Sequence, residues 1–155
     1  MLHFAYGSNM DRAIMRRHAP TAVPLGVASL INHRFAITND GYASVVSAPA
    51  GRVYGVVWRL KPRDRITLDR WECTASGQYR GEMLRVEIAG GRRPALVYIA
   101  RPRRAGRPKA GYMELVLAAA RAWTLPPSYI ASLQHWLPAQ PLGAGTRNLK
   151  EFGWT

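Results

Sequence analysis

The chain has 155 residues, which is enough for one domain whose hydrophobic core needs no disulfide bonds. Its formal net charge of +13 means that nucleic acid has to be considered as a partner. The single cysteine, Cys73, excludes an intrachain disulfide and favours a reducing, cytoplasmic compartment. We expect neither a signal peptide nor a membrane-spanning helix, because the sequence shows neither pattern.

The positive charge is almost entirely arginine, and its densest run is Arg101–Lys109. This run holds no aromatic residue on which a base could stack. Its glycine and prolines predict a solvated, passive surface loop. A basic nucleic-acid-binding domain stays open as an alternative function, but the charge pattern does not favour it.

The first segment predicts a strand, a loop and a helix. The strand is Leu2–Tyr6, the loop is Gly7-Ser8-Asn9, and a helix of two turns follows from Met10 to Arg17. Ser8 or Asn9 is expected to cap that helix, since both have short polar side chains. Its apolar face is predicted from three residues: Met10, Ala13 and Ile14.

The next segment predicts antiparallel strands. Gly26–Thr38 is extended, and its apolar residues Val27, Ile31, Phe35 and Ile37 are predicted to share one side of the strand. Asn39-Asp40-Gly41 predicts a turn, after which Tyr42–Ala48 pairs back. Val53–Leu60 is nearly all apolar, which is typical of a central strand covered on both faces.

The second half alternates helices with a hairpin. Pro62–Glu72 predicts a short helix with Ile66 and Leu68 among its apolar residues, because proline favours the first helical position. A hairpin, Tyr79–Ile88 with Pro94–Ala100, comes next. Gly111–Trp123 follows the helical period, with apolar residues at Tyr112, Leu115, Val116, Ala119, Ala120 and Trp123. The last helix starts at Pro126-Pro127 with Ile130, Leu133 and Leu137 inward, and an irregular tail begins at Pro138. Residues 1–155 therefore predict one α+β domain: a curved mixed sheet or small mixed β-barrel with flanking helices.

Elimination narrows the available chemistry. The four histidines (His3, His18, His33 and His135) lack a paired metal-ligand spacing, and one cysteine cannot build a zinc site. No phosphate-binding glycine loop occurs either. Ser8 and Cys73 are possible nucleophiles, but neither has a histidine base nearby in sequence. We therefore expect no metal and no cofactor.

Glu72 is the carboxylate with the most informative context. It stands at the end of a predicted helix beside Trp71, where its negative charge is disfavoured and poorly solvated. Both effects raise a carboxyl pKa, as in a general base. The alternative is an exposed glutamate at a frayed helix end.

The Gly7-Ser8-Asn9 loop lies between a strand and a helix start, where backbone N–H groups lack partners. Such a loop predicts an anion site, because glycine lets the backbone come close to a ligand. An ordinary capped turn is the alternative interpretation.

Four short motifs in order resemble the gamma-glutamylcyclotransferase-like family. They are Tyr6-Gly7-Ser8-Asn9, Gly55-Val56-Val57-Trp58, Leu68-Asp69 with Glu72, and Ser76-Gly77 with Tyr79. Tyr112, ahead of Leu125-Pro126, matches a further tyrosine of the family pattern. Cys73 departs from that pattern, which usually has glycine after the catalytic glutamate.

The resemblance implies a butirosin-pathway cyclotransferase-like fold and a set of site residues. Glu72 would be the acid/base catalyst, Tyr6, Gly7, Ser8 and Asn9 would hold the γ-glutamyl group, and Tyr79 and Tyr112 would line the pocket. The implied reaction converts a γ-glutamyl amine or amino acid to 5-oxoproline and a free amine without metal or cofactor. A non-catalytic pocket for a small amino-acid-like anion is the alternative, and both a monomer and a homodimer remain open.

Overall fold

The computed structural model describes residues 1–72, 78–101 and 104–138 of the chain. Five strands form a closed barrel: β1 (Leu2–Ala5), β2 (Val23–Ile37), β3 (Ala43–Arg59), β4 (Tyr79–Ile88) and β5 (Gly91–Ala100). Four helices flank it: α1 (Arg12–His18), α2 (Pro62–Trp71), α3 (Tyr112–Ala122) and α4 (Pro127–Gln134). The predicted α+β barrel with flanking helices is therefore confirmed.

The barrel order is β1-β3-β2-β4-β5, and it closes where β1 meets β5. The β1–β5 pair is parallel, with His3 opposite Leu96, while the other pairs are antiparallel. As predicted, the apolar half of β3 is central, since β1 and β2 flank it. Its residues Val53, Val56 and Val57 are fully buried. Burial of such β-branched side chains on a paired strand stabilises the fold by about 1.5–3 kcal/mol each.

β2 contains a bulge that changes which residues face the core. The pairing with β3 shifts between Ile31 and His33, and Asn32 has φ 58°. The extra residue reverses the side-chain alternation. Before the bulge the buried apolar residues are Ala28 and Leu30, and after it they are Phe35 and Ile37. The prediction was thus right for Phe35 and Ile37 and wrong for Val27 and Ile31, which are half-buried.

The segment after β1 also differs from the prediction. Ser8–Met10 forms a 3-10 turn, and α1 starts only at Arg12. The Asp11 carboxylate caps α1 by accepting the Ile14 N–H at 2.9 Å, so neither Ser8 nor Asn9 caps that helix. Because of this 3-10 turn, the helical spacing of buried residues starts at Arg12 and not at Met10, as the prediction had assumed. Consequently Met15 is buried within α1 and Ala13 is exposed.

The helices pack their apolar faces on the barrel and fix the 3-10 turn. The buried face of α3 comprises Tyr112, Met113, Val116, Leu117, Ala119 and Ala120. At its end, the Trp123 indole N–H donates to the Met10 carbonyl at 2.7 Å. From α4, Tyr129 and Leu133 are buried, whereas Ile130 and Leu137 are half-buried. In α2 Leu68 is fully buried, whereas Ile66 is 54% exposed.

The second hairpin and the basic run complete the barrel end. β5 starts at Gly91, earlier than the predicted Pro94, because the turn from β4 is short. The backbone of the basic run is bonded to the β2–β3 turn: Gly106 N–H donates to the Ile37 carbonyl, and Asn39 N–H to the Arg104 carbonyl, each at 2.9 Å. The prediction of a purely solvated loop is therefore wrong for its backbone. Residues 102–103 and the predicted tail from 139 onward lie outside the described residues.

Among the residues that the structure describes, no helix combines the length and the apolar character needed to cross a bilayer.

Candidate functional site

A cavity of about 530 Å³ lies where β1 leaves the barrel and enters the 3-10 turn. All seven residues predicted for the site line it: Tyr6, Gly7, Ser8, Asn9, Glu72, Tyr79 and Tyr112. They come from four separate parts of the chain, which barrel closure and helix packing bring to one place. Their chemical roles stay predictions, while their common location is a property of the structure.

Glu72 is joined to the loop by a direct hydrogen bond. Asn9 Nδ2 donates to Glu72 Oε1 at 2.9 Å, although the two residues are 63 positions apart. Glu72 directly follows the last residue of α2, and its N–H donates to the Leu68 carbonyl at 2.8 Å, so its backbone continues the hydrogen bonding of the helix. Asn9 is only 6% exposed. The loop therefore holds the carboxylate in position rather than merely facing it.

The environment of Glu72 favours its protonated form. Burial raises the pKa of this carboxyl from 4.5 to about 7, and the hydrogen bond from Asn9 partly opposes the change. The neighbouring Trp71 lines the same cavity and stacks on the His18 ring at 3.9 Å. The side chain is half-buried and faces the cavity, so the frayed, solvated alternative does not describe it. A carboxyl with a pKa near neutrality can both take up and return a proton.

Two tyrosines of the cavity wall are anchored on the same residue of β3. Tyr79 Oη donates to the Ala43 carbonyl at 2.8 Å, and the Ala43 N–H donates to Tyr112 Oη at 3.3 Å. Burial raises the pKa of both phenols well above the usual value. The two hydroxyls are therefore neutral in the physiological range and can donate or accept hydrogen bonds.

Gly7 is required by the close approach of a tyrosine hydroxyl. A Cβ at this position would lie 2.7 Å from Tyr112 Oη. Ser8 interacts with the same hydroxyl through its backbone amide and its side chain. The Ser8 amide, part of the predicted anion site, is thus already directed at Tyr112. The loop and α3 are consequently packed together at the cavity wall.

Tyr6 and Asp69 show roles that sequence reasoning did not assign. The Tyr6 hydroxyl donates to the Tyr98 carbonyl, and Tyr98 Oη donates to Asp69 Oδ1 at 2.6 Å. Arg65 completes the arrangement through an ion pair with Asp69 at 2.8 Å. The sequence could have indicated Asp69, because a residue three positions before Glu72 lies on the same face of the helix and therefore near the same site. Asp69 therefore holds Tyr98, a cavity residue that the sequence analysis did not single out.

His3 is a second unpredicted lining residue. It is 2% exposed, and its Nδ1 lies 3.0 Å from the Leu96 carbonyl. Since a carbonyl can only accept, Nδ1 carries the proton and Nε2 is an acceptor, which has no hydrogen-bond partner in the described part of the chain. Burial lowers the pKa of His3 to about 4, so the ring is neutral at physiological pH. Its hydrogen bond to β5 gives the ring a structural role in the cavity wall.

Lys109 and Tyr42 were also missed. Both line the cavity, and Lys109 Nζ lies 4.8 Å from the centroid of the Tyr42 ring. No sequence signal separates Lys109 from the arginines around it, because its direction depends on how the basic run docks.

Within the described ranges, no group of histidine, cysteine, aspartate and glutamate side chains could hold a metal ion. Cys73 and the Ser76-Gly77 motif lie outside those ranges, so their predicted contributions have no structural description.

Comparison with known proteins identifies the family. A profile of the AIG2-like family matches residues 52–133, just over half of the chain. Mouse gamma-glutamylcyclotransferase is 27% identical over 86% of this chain and 77% of its own length, and the human protein is 24% identical over 97% and 86%. The bovine protein is 32% identical over 88 residues, where the chain spans about half (47%) of that relative's length.

Solved structures agree on the fold. A structure of a gamma-glutamyl cyclotransferase superimposes with a TM-score of 0.85 at 23% identity, covering 97% of this chain and 96% of that one. The YkqA protein of Bacillus subtilis superimposes with a TM-score of 0.77 at 26% identity, covering 87% of this chain and 53% of that one. Together with the profile match, these similarities confirm the resemblance that the motifs indicated, and the chain belongs to the AIG2-like family of gamma-glutamylcyclotransferase-like proteins.

Proposed function

We propose that the protein is a gamma-glutamylcyclotransferase-like enzyme that releases 5-oxoproline from a γ-glutamyl substrate. The observation that carries this proposal is Glu72, a cavity carboxylate with an elevated pKa that Asn9 of the Tyr-Gly-Ser-Asn loop holds in place. The relatives named gamma-glutamylcyclotransferase support it. The cavity volume of about 530 Å³ is suited to a ligand of dipeptide size.

The reaction needs one nucleophile, which the substrate itself provides. The α-amine attacks the γ-carbonyl carbon, so a C–N bond forms and closes a five-membered ring. The original γ-amide C–N bond then breaks and releases the amine. Holding the substrate folded for this attack is worth up to about 7–11 kcal/mol, the range measured for well-oriented intramolecular reactions.

Proton transfer falls to Glu72 in this proposal. In turn, the Glu72 carboxylate relays two protons from the α-nitrogen to the departing nitrogen. The α-ammonium loses two of its three hydrogens and becomes the lactam N–H, and the amide nitrogen gains both and leaves as an ammonium, so no net proton is gained or lost. With a pKa of about 7, both forms of the side chain are populated near neutrality.

Developing charge on the γ-carbonyl oxygen requires hydrogen-bond donors. We assign this task to the backbone N–H groups of the Tyr6–Asn9 loop together with the phenol of Tyr112, whose oxygen accepts the Ala43 N–H. Tyr79 donates its own proton to the Ala43 carbonyl and shapes the cavity wall beside them. Donors that are fixed before the reaction stabilise such charge without reorganisation. The carboxylate next to them argues against a pocket that only binds simple anions, because Glu72 would repel a ligand that has no α-ammonium group to meet it.

The test is product analysis with a matched pair of variants. The wild type is incubated with γ-glutamylalanine, and 5-oxoproline and alanine are quantified by mass spectrometry. Glu72→Gln keeps the size and the acceptor for Asn9 but cannot take up a proton, so turnover should fall by roughly 10²-fold or more. Glu114→Gln, an exposed position on α3, is the control and should retain turnover.

Near-normal turnover by Glu72→Gln would refute the assigned mechanism. Calorimetric binding of γ-glutamyl compounds without any 5-oxoproline release would favour the non-catalytic pocket instead.

Two general properties remain proposals. We propose that residues 1–155 form one domain, and that the protein works in the cytoplasm, where a single cysteine would stay reduced.

A further inference from the structure

Lys109 brings a positive charge to the mouth of the cavity. Among the described residues that line it, Lys109 is the one lysine or arginine and Glu72 the one carboxylate. The two residues differ in setting: Lys109 is exposed, whereas Glu72 is half-buried and bonded to the buried Asn9. The cavity therefore has a proton-accepting inner part and a cationic rim.

The backbone of Lys109 is fixed against the β2–β3 turn. Its N–H donates to the Gly41 carbonyl at 3.1 Å. Gly41 has φ +89°, and a Cβ there would lie 2.5 Å from Lys109 Cγ and 2.8 Å from Lys109 N. Close packing of this kind requires glycine and directs the lysine stem along the turn toward the cavity.

The Lys109 ammonium is held beside an aromatic ring and is not neutralised by a carboxylate of the described residues. Nζ lies 4.8 Å from the Tyr42 ring centroid, a cation–π geometry, and Tyr42 contacts Tyr112 edge-on at 5.5 Å. No ion pair of Lys109 occurs in the part of the chain that the structure describes. A ligand carboxylate at the rim would therefore find a cation without a competing acidic partner.

We propose that Lys109 determines acceptor specificity by binding the carboxylate of the amino acid that leaves, so that the substrates are γ-glutamyl amino acids or peptides rather than γ-glutamyl alkylamines. This inference rests on the proposed function. It concerns the variable part of the substrate, whereas Glu72 and the loop act on the γ-glutamyl part.

The acceptor carboxylate is assigned to Lys109 because of where each part of the substrate must lie. The α-amine has to reach both Glu72 and the γ-carbonyl, so the glutamyl skeleton, with its α-carboxylate, stays at the inner part of the cavity. The leaving amino acid is attached on the other side of the γ-carbonyl and extends toward the opening. Lys109 is exposed at that opening and can meet the carboxylate there.

The test compares two substrates that differ only in the acceptor carboxylate. γ-Glutamylalanine carries it, and γ-glutamylethylamide is the same molecule without it. For Lys109→Met, kcat/KM should fall roughly tenfold for γ-glutamylalanine, mainly through KM, and less than about twofold for γ-glutamylethylamide. Lys109→Arg should keep most of the preference, and Arg107→Met, on the same loop but away from the cavity lining, should behave like the wild type.

Wild-type enzyme provides an independent measurement. Its preference for γ-glutamylalanine over γ-glutamylethylamide should shrink as sodium chloride is raised, because salt screens a charge pair at an exposed rim. This readout does not depend on the folding of any variant, and thermal unfolding of each variant verifies that its fold is intact.

The outcomes separate the two proposals. Equal losses on both substrates, or no loss on either, would overturn the role of Lys109 while leaving the cyclotransferase activity standing. If the wild type forms 5-oxoproline from neither substrate, the proposed function itself fails and the inference fails with it.

Discussion

Glu72→Gln should make the protein more stable at neutral and alkaline pH while it abolishes most activity. The folded protein keeps a carboxylate in a site that disfavours its charge, and the unfolded chain does not. Glutamine removes that charge but can still accept the Asn9 amide hydrogen bond at Oε1. The catalytic group is thus expected to destabilise the fold in which it works.

The magnitude follows from the elevated pKa. A rise from 4.5 to about 7 corresponds to a difference on the order of 3 kcal/mol between the two protonation states. Between these values the folded state binds more protons than the unfolded state, so wild-type stability decreases as pH rises through that window. Below about pH 4.5 both states are protonated and the penalty disappears, and above about pH 7 it is complete.

The assay is urea unfolding of wild type and Glu72→Gln from pH 4.5 to 8.5, followed by tryptophan fluorescence. The difference in free energy of unfolding should be under about 0.5 kcal/mol at pH 4.5 and on the order of 3 kcal/mol at pH 8.5, in favour of the variant. Glu114→Gln serves as the exposed control and should show no such pH dependence. A variant that is no more stable than the wild type at pH 8.5 would refute the inference that Glu72 is desolvated.

Three further outcomes are expected. First, kcat/KM should decrease below about pH 7 as Glu72 becomes protonated. His3→Asn should leave the midpoint of this decrease unchanged, because His3 has a pKa of about 4 and is already neutral there. A shifted midpoint would show that His3 takes part in the titration. Second, Gly7→Ala should destabilise the fold by about 1–3 kcal/mol through overpacking against the Tyr112 hydroxyl. Combining it with Tyr112→Phe should cost less than the sum of the single changes, and simple additivity in urea unfolding would contradict this contact. Third, Asp11→Ala should lower the free energy of unfolding by about 1 kcal/mol through loss of the helix cap, while the pH profile of activity stays the same.

Sequence patterns predicted the barrel strands and most helix positions because those signals are local. Alternation of apolar residues, proline at a helix start and a turn at Asn39–Gly41 act within a few residues of one another. The errors arose where a local irregularity changed which side chains face the core. The bulge at Asn32 reversed the faces of β2, and the 3-10 turn at Ser8–Met10 moved the cap to Asp11.

The candidate site was predicted from short motifs, which identify residues but do not determine their positions in space. The motifs indicated Glu72 and the Tyr6–Asn9 loop, and the position of Glu72 beside Trp71 indicated an elevated pKa. They did not indicate what holds each side chain, since those partners are distant in sequence. Ala43 is an example, because nothing in its local context marks it as the anchor of Tyr79 and Tyr112.

By itself, then, the sequence determined the strand–loop–helix at the start of the chain, the hairpins, the amphipathic helices and a carboxylate at a helix end. Only the tertiary structure decided that Asn9 donates a hydrogen bond to Glu72, that Gly7 must leave room for Tyr112, and that Lys109 lines the cavity while the nearby Arg107 does not. The reason is physical. Backbone torsion preferences and the periodic spacing of apolar residues depend on a few neighbouring residues. These contacts, in contrast, exist only after β1 and β5 close the barrel and α3 packs against the loop.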